Sequence, residues 1–123
     1  MKILLIDDSS LSRNILKRAL GEEHEFVEAN NGMRGLELFY IEHPDLVFLD
    51  LTMPGVNGME ILKQLRQIDA KARIIIGTAD IQNYSRQRAT ELGASAYLNK
   101  PFTPEAVQEV VRKVFEENNE AGL

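Results

Sequence analysis

The stretch Asp45-Leu46-Val47-Phe48-Leu49-Asp50-Leu51-Thr52-Met53-Pro54 joins a short apolar run to a carboxylate and then to a segment that cannot continue as helix. The run is apolar throughout, as a strand covered on both faces of a parallel sheet would be. Pro54 disfavours the α region for Met53, and Gly55 and Gly58 loosen the chain just beyond it. Asp50 therefore sits where a parallel strand emits its loop, the edge at which open α/β sheets bind their ligands. A single Asp there is more often a turn-former or a helix cap. Other polar residues after other apolar runs change that reading. Asp7 and Asp8 follow the run Lys2–Ile6, Thr78 follows Arg73–Gly77, and Lys100 follows Ala94–Leu98.

Each of these also has a plain explanation: caps for the Asp pair, a turn for Thr78, a solvated Lys100. As a set they imply more, because three carboxylates packed together repel one another and raise each other's pKa unless a cation relieves them. The donors are all oxygen, so a hard ion such as Mg²⁺ is expected, and it commonly takes only one or two carboxylates besides water and phosphate oxygens. The remaining groups suit phosphoryl transfer. Asp50 would be a carboxylate nucleophile forming an aspartyl phosphate, with the metal bridging its oxygen and the phosphoryl group. Lys100 would neutralise a second phosphoryl oxygen, and the Thr78 hydroxyl would hydrogen-bond a third.

Strands and helices must bring these residues to one edge. Beyond the runs already named, Phe26–Ala29 reads as a strand closed by Asn30-Asn31-Gly32. Ser9 or Ser10 caps a helix whose apolar face is Leu11, Ile15, Leu16 and Ala19, and Gly21 ends it. Leu36, Phe39 and Tyr40 mark a second helix, and Met59, Ile61, Leu62, Leu65 and Ile68 a third. A fourth, from Ile81 to Leu92, has a weak stripe of Tyr84, Ala89 and Leu92. The last opens at Thr103 or Pro104, packs Val107, Val110, Val111 and Val114, and is expected to fray from Glu116 onward. Five strands alternating with five helices mean a parallel, doubly wound sheet with right-handed crossovers and helices on both faces.

The totals bound the class. The chain has 123 residues, 44% hydrophobic and 27% charged, enough for one domain with a real core and too few for two. A net charge of -5 argues against nonspecific nucleic-acid binding, and the absence of cysteine excludes disulfides, thiolate metal sites and a thiol nucleophile. Nothing approaches the ~20 apolar residues of a membrane span. The N-terminal run is too short for a signal sequence, so a cytoplasmic, soluble domain is expected.

Over essentially its whole length the chain resembles the receiver domain of two-component response regulators. The resemblance rests on Asp7-Asp8, on Asp50 in Asp50-Leu51-Thr52-Met53-Pro54 with Gly58 behind it, on Thr78-Ala79, and on Lys100-Pro101-Phe102. It implies a flavodoxin-like fold with strand order 2-1-3-4-5 and a single domain over 1–123. Asp50 would be the phosphoacceptor. Asp8, Asp50 and the backbone carbonyl of Thr52 would hold Mg²⁺, with Asp7 acting mainly through water. Lys100 would pair with the phosphoryl group and precede a cis Pro101, and Tyr97 would turn inward when Thr78 moves. A sensor histidine kinase or phosphotransfer protein would supply the phosphoryl group. A surface of the fourth helix, fifth strand and fifth helix would read it out to a downstream target, in chemotaxis or a phosphorelay. The expected species is a monomer, a stand-alone regulator that binds no nucleic acid directly and assists its own phosphorylation without being an enzyme.

Thr52 and Asp80 flank the expected path of attacking water, and Gly77, where an apolar residue is more usual, is expected to free the backbone beside Thr78. An aspartate-nucleophile phosphohydrolase resembles Asp-x-Asp at the nucleophile, where this chain has Thr52 and no room for a cap insertion. A flavin carrier of the same fold would have its phosphate repelled by Asp7 and Asp8. A receiver-like binding module that takes no phosphate is the third alternative.

Overall fold

Apolar runs and capped helices alternate along the chain in a computed structural model that describes residues 1–55, 57–79 and 83–121, with backbone only at 83–84 and 117–121. The order is β1 (Lys2–Ile6), α1 (Ser10–Leu20), β2 (Glu25–Ala29), α2 (Gly32–Glu42), β3 (Leu46–Leu49), α3 (Gly58–Ile68), β4 (Ile74–Thr78), α4 (Asn83–Glu91), β5 (Ala96–Asn99) and α5 (Pro104–Ala121). All strand pairs are parallel, in the order β2-β1-β3-β4-β5. This is the doubly wound, flavodoxin-like sheet that the sequence implies.

The central strands are apolar on both faces because both are covered. Leu4, Ile6, Val47, Leu49, Ile74 and Ile76 face α2, α3 and α4, where they meet Leu38, Phe39, Ile61, Leu62, Leu65 and Ala89. Ile3, Leu5, Leu46, Phe48 and Ile75 face α1 and α5, against Leu16, Ala19, Val107 and Val114. At roughly 2 kcal/mol for each fully buried aliphatic side chain, this packing makes the strand ends a rigid platform for the loops they emit. Among the described side chains of α4, Ala89 is the buried one, so this helix is held by far less apolar surface than α3.

Side-chain caps set the helix starts. Ser9, not Ser10, caps α1 by accepting from the Ser12 N–H, and Asn31 and Asn57 do the same for α2 and α3. Gly21, at φ 98°, ends α1 in a conformation that a side chain would resist.

Several expectations about faces and ends are corrected. Leu11 is 69% exposed, because the first turn of α1 lies beyond the strand ends and has no sheet beneath it. Tyr40 is also 69% exposed, because Leu38 and Phe39 take the buried face of α2 and Tyr40 falls beyond its edge. Ile68, in the last turn of α3, borders a cleft with Phe39, Tyr40, His43 and Pro44 rather than the core. The last helix does not fray at Glu116 but continues to Ala121. No Gly or Pro interrupts it there, and Arg112 pairs with both Glu109 and Glu116 along its exposed side. The ends of β4 and β5 each fall a residue later than expected, so Thr78 and Asn99 belong to the sheet.

Candidate functional site

The site residues are those that leave the sheet while still hydrogen-bonded to it. The Asp7 N–H donates to the Ala29 carbonyl at 3.0 Å, the Asp50 N–H to Ile6 at 2.9 Å, and the Lys100 N–H to Thr78 at 2.8 Å. The ladder thus runs one residue past the strands and aims three side chains off one edge. Asp7 and Asp50 are each 3% exposed and Thr78 is fully buried, while Asp8 is open to solvent.

Asp7, Asp8 and Asp50 each bring one carboxylate oxygen to within 4.8 Å of the others. The Lys100 ammonium enters this cluster, 3.0 Å from Asp7 Oδ2 and 3.2 Å from Asp50 Oδ2. Asp7 Oδ1 accepts from the Ser9 N–H at 2.9 Å, so with Lys100 on Oδ2 both its carboxylate oxygens are engaged, and Arg13 donates to its backbone carbonyl. Asp50 Oδ1 accepts from both the N–H and the hydroxyl of Thr52, at 3.0 and 2.9 Å. The Thr52 hydroxyl oxygen is in turn 3.3 Å from that of Thr78.

Burial raises the Asp7 carboxyl above its ordinary range, and the Ser9 N–H and Lys100 offset this only in part. The charge of Asp50 adds least, so desolvation outweighs the mutual repulsion anticipated from the sequence. Burial by itself would lower the Lys100 ammonium. Hydrogen bonding and charge from Asp7, followed by Asp50, outweigh it and hold the group above its usual 10.5.

Below the carboxylates lies the ring of Phe102, 7% exposed, with the Lys100 ammonium 6.0 Å from its centroid. Asp7, Asp50, Ile6, Leu16, Phe48, Leu49, Gly77 and Phe102 enclose a gap too small for a water molecule. The site floor is therefore dry. Gly77 also faces Phe102: a Cβ there would lie 2.7 Å from Phe102 Cζ, so the ring fills the space of its missing side chain. The Lys100–Pro101 bond is cis, as the resemblance implies.

The structure brings Asp7, Asp8, Asp50, Thr52, Thr78 and Lys100 together. Tyr97 lies apart from them on β5, half-buried, paired in register with Ile76 and with the Arg86 guanidinium 5.7 Å from its ring centroid. Asp80 lies outside the described residues. Sequence reasoning placed Thr52 by its carbonyl and beside the path of attacking water but missed the bond of its hydroxyl to Asp50, for which the polar residue two after Asp50 was the available signal. It also missed the pairing of Gly77 with Phe102, visible only once β4 and the segment after β5 are placed side by side.

Three oxygen ligands suit a hard divalent cation, and the ammonium between two of them shows that the cluster already draws a positive charge. A buried carboxylate with a cation on one oxygen and two donors on the other is held in one orientation, the geometry a carboxylate nucleophile would need. At the position where an aspartate phosphohydrolase would carry its acid there is a hydroxyl, which cannot protonate a leaving group in that way.

The sequence profile of the response regulator receiver domain matches residues 3–112. Over 114 residues the chain is 37% identical to the chemotaxis protein CheY of Halobacterium salinarum, which spans 92% of this chain and 95% of that one. It is 38% identical over 113 residues to the sporulation initiation phosphotransferase F of Bacillus subtilis, 91% of each chain. Among solved structures, the REC domain of AraT, a response regulator from Geobacillus stearothermophilus, matches with a TM-score of 0.87 at 30% identity, covering 99% of this chain and 98% of that one.

Proposed function

This chain belongs to the response regulator receiver domain family, and from that premise we propose that Asp50 accepts a phosphoryl group from the phosphohistidine of a sensor histidine kinase or a phosphotransfer protein. A carboxylate oxygen of Asp50 attacks phosphorus and the P–N bond of the donor breaks. The histidine nitrogen keeps the bonding pair and takes a proton from solvent. Lys100 shifts from the carboxylates to a phosphoryl oxygen, and Thr78 hydrogen-bonds another. Receiver domains bind Mg²⁺ at an acidic pocket, and here Asp8, Asp50 and the Thr52 carbonyl would hold the ion. Asp7 would act mainly through water, as the family resemblance implies. When bound, Mg²⁺ supplies positive charge that offsets the phosphoryl oxygens approaching a carboxylate.

Receiver domains are signalling domains rather than enzymes, and in this reading the chain's own residues assist both gain and loss of the phosphoryl group. Phosphorylation shifts an existing conformational equilibrium in which Thr78 and Tyr97 move, and the surface of α4, β5 and α5 presents the result to a target protein. The sparse burial of α4 supports this, since a helix holding little apolar surface moves at little cost. Among the described residues no helix is long and apolar enough to cross a membrane, and the reading is of a monomeric cytoplasmic regulator that binds no nucleic acid directly. Chemotaxis or a phosphorelay is the setting, in keeping with the names of the two relatives.

The observation that carries the proposal is the buried Asp50 carboxylate, 3.2 Å from the Lys100 ammonium and within reach of Asp7 and Asp8. Intact mass after incubation with Mg²⁺ and acetyl phosphate tests it, with Asp50→Asn alongside. One phosphoryl adduct that requires Mg²⁺ and disappears in the variant is expected. No adduct, or one that survives in Asp50→Asn, would overturn it and leave the chain as a binding module that takes no phosphate at this site.

A further inference from the structure

Of the three clustered carboxylates, Asp8 is the one the protein grips least. It is open to solvent and, among the described residues, takes no hydrogen bond or ion pair, whereas Asp7 and Asp50 each have both oxygens engaged. Its direction is therefore set by its own backbone. The peptide joining Asp7 to Asp8 is held at its oxygen by Arg13, in the first turn of α1, whose Nη1 donates to the Asp7 carbonyl. The Asp7 N–H bond to Ala29 and the Ser9 N–H bond to Asp7 Oδ1 hold the chain on either side of this peptide, and Arg13 is the group that fixes its plane. The same guanidinium donates from Nε to Glu28 Oε1 at 2.9 Å, and Lys17 takes the other Glu28 oxygen at 3.0 Å. Burial resists the charge on Glu28, yet Lys17 and Arg13 together keep its carboxyl below the ordinary range. Glu28 is thus an ionised anchor on β2, and a planar guanidinium pinned along one edge has little freedom on the other. The Arg13 side chain is 15% exposed, so water competes poorly for its donors.

We infer that Arg13 is a positioning residue of the site: by bridging Glu28 and the Asp7 carbonyl, it sets the Asp7–Asp8 peptide and so places the Asp8 carboxylate beside Asp50 for a divalent cation. The inference rests on the reading of Asp8 and Asp50 as Mg²⁺ ligands and adds to it the group that braces one of them. Charge and position here act in opposite directions. As a bare cation Arg13 repels Mg²⁺, so that removing it would tighten binding; as a brace for Asp8, removing it loosens binding. For Glu28 the charge argument reverses, since loss of a nearby anion loosens the ion by itself. A pure charge effect therefore moves the two substitutions apart, whereas a brace moves both the same way.

Mg²⁺ binding is read by NMR from the Thr52 amide signal, because that N–H donates to Asp50 and lies on a different loop from Arg13. The ion is added stepwise to the unphosphorylated protein with no phosphoryl donor present. Arg13→Met keeps the bulk and removes the donors, and its dissociation constant should rise about tenfold, the lower end for lost support behind a metal ligand. Arg13→Lys keeps the charge without the fork and should lose most of the same affinity; it decides the matter should Arg13→Met fail to fold. Glu28→Ala should weaken binding on its own and add nothing once Arg13→Met is present, because the carboxylate acts through the guanidinium. The inference is overturned, with the metal reading intact, if Arg13→Met binds Mg²⁺ as tightly as wild type or more tightly, if Arg13→Lys keeps full affinity, or if the Arg13 and Glu28 losses simply add. If Mg²⁺ leaves the wild-type Thr52 signal unmoved, the metal reading itself falls and takes the inference with it.

Discussion

Replacing Gly77 with alanine asks whether the ring of Phe102 fills the space that a β4 side chain would need. An added Cβ would lie 2.7 Å from Phe102 Cζ and 3.2 Å from Cε1, against ~3.5–4.0 Å for an unstrained pair of carbons. The ring has little room to retreat, because the gap around it cannot hold a water molecule. Overpacking of this kind costs about 1–3 kcal/mol. Working against it, alanine restricts the unfolded chain more than glycine and returns about 0.4–1 kcal/mol at a position whose backbone it can adopt. The steric cost is the larger, so Gly77→Ala should lose about 1–2 kcal/mol, which lowers the melting temperature by roughly 5 °C in a domain of this size. Phe102→Leu alone should also destabilise, by about 1–2 kcal/mol, through the cavity it leaves. Combined, the two should be better than their sum, with a favourable coupling of about 1–2 kcal/mol. Urea unfolding monitored by circular dichroism, with m unchanged, measures all four corners of the cycle. If Gly77→Ala is more stable than wild type, or if the two losses simply add, the ring gives way freely.

Lys100→Met in EDTA strips the ammonium that bridges two buried carboxylates and should cost about 3 kcal/mol at neutral pH, the lower end for a broken buried pair because the lysine keeps some solvent contact. Burial already raises Asp7 above 3.8 and Lys100 holds that rise in check. Asp7 therefore favours the folded state when protonated, that contribution is lost as pH climbs past 3.8 through the folded value, and losing Lys100 enlarges the loss. Urea midpoints should differ more at about pH 8 than at about pH 4, and an equal gap would refute the assignment. At the opposite edge of the sheet, the Arg66 guanidinium donates to the carbonyls of Asp69, Ala70, Ala72 and Gly93, clipping the end of α3 to the turn before β5. Arg66→Ala should cost about 2–3 kcal/mol and speed amide exchange at 93–95 while phosphoryl uptake is retained; unchanged exchange would show that the clip bears no strain.

The order and type of the elements were legible because a doubly wound sheet writes them directly into the chain. Strands buried on both faces must be continuous apolar runs, and parallel strands need helical crossovers between them, so apolar run and amphipathic segment alternate. The same topology explains why Asp7, Asp50, Thr78 and Lys100 could be gathered at one edge from sequence alone: every parallel strand ends on the same side. Local periodicity served less well at helix ends. Leu11 and Ile68 keep the spacing of a buried stripe but lie in terminal turns that overhang the sheet, and polar composition after Glu116 did not end α5.

Which residues arrive at the site is written in the chain, because residue type, place at a strand end and parallel topology suffice to gather them. How they meet depends on tertiary packing. Lys100 bridges Asp7 and Asp50, Thr52 offers its hydroxyl to Asp50 and Thr78, and Phe102 occupies the volume vacated at Gly77. Apart from the short bond between Thr52 and Asp50, these contacts join residues on different strand ends, far apart in the chain, so no local pattern encodes them. They depend on where side chains from separate strand ends fall within a few ångström of one another, a distance set by how the whole sheet twists and packs.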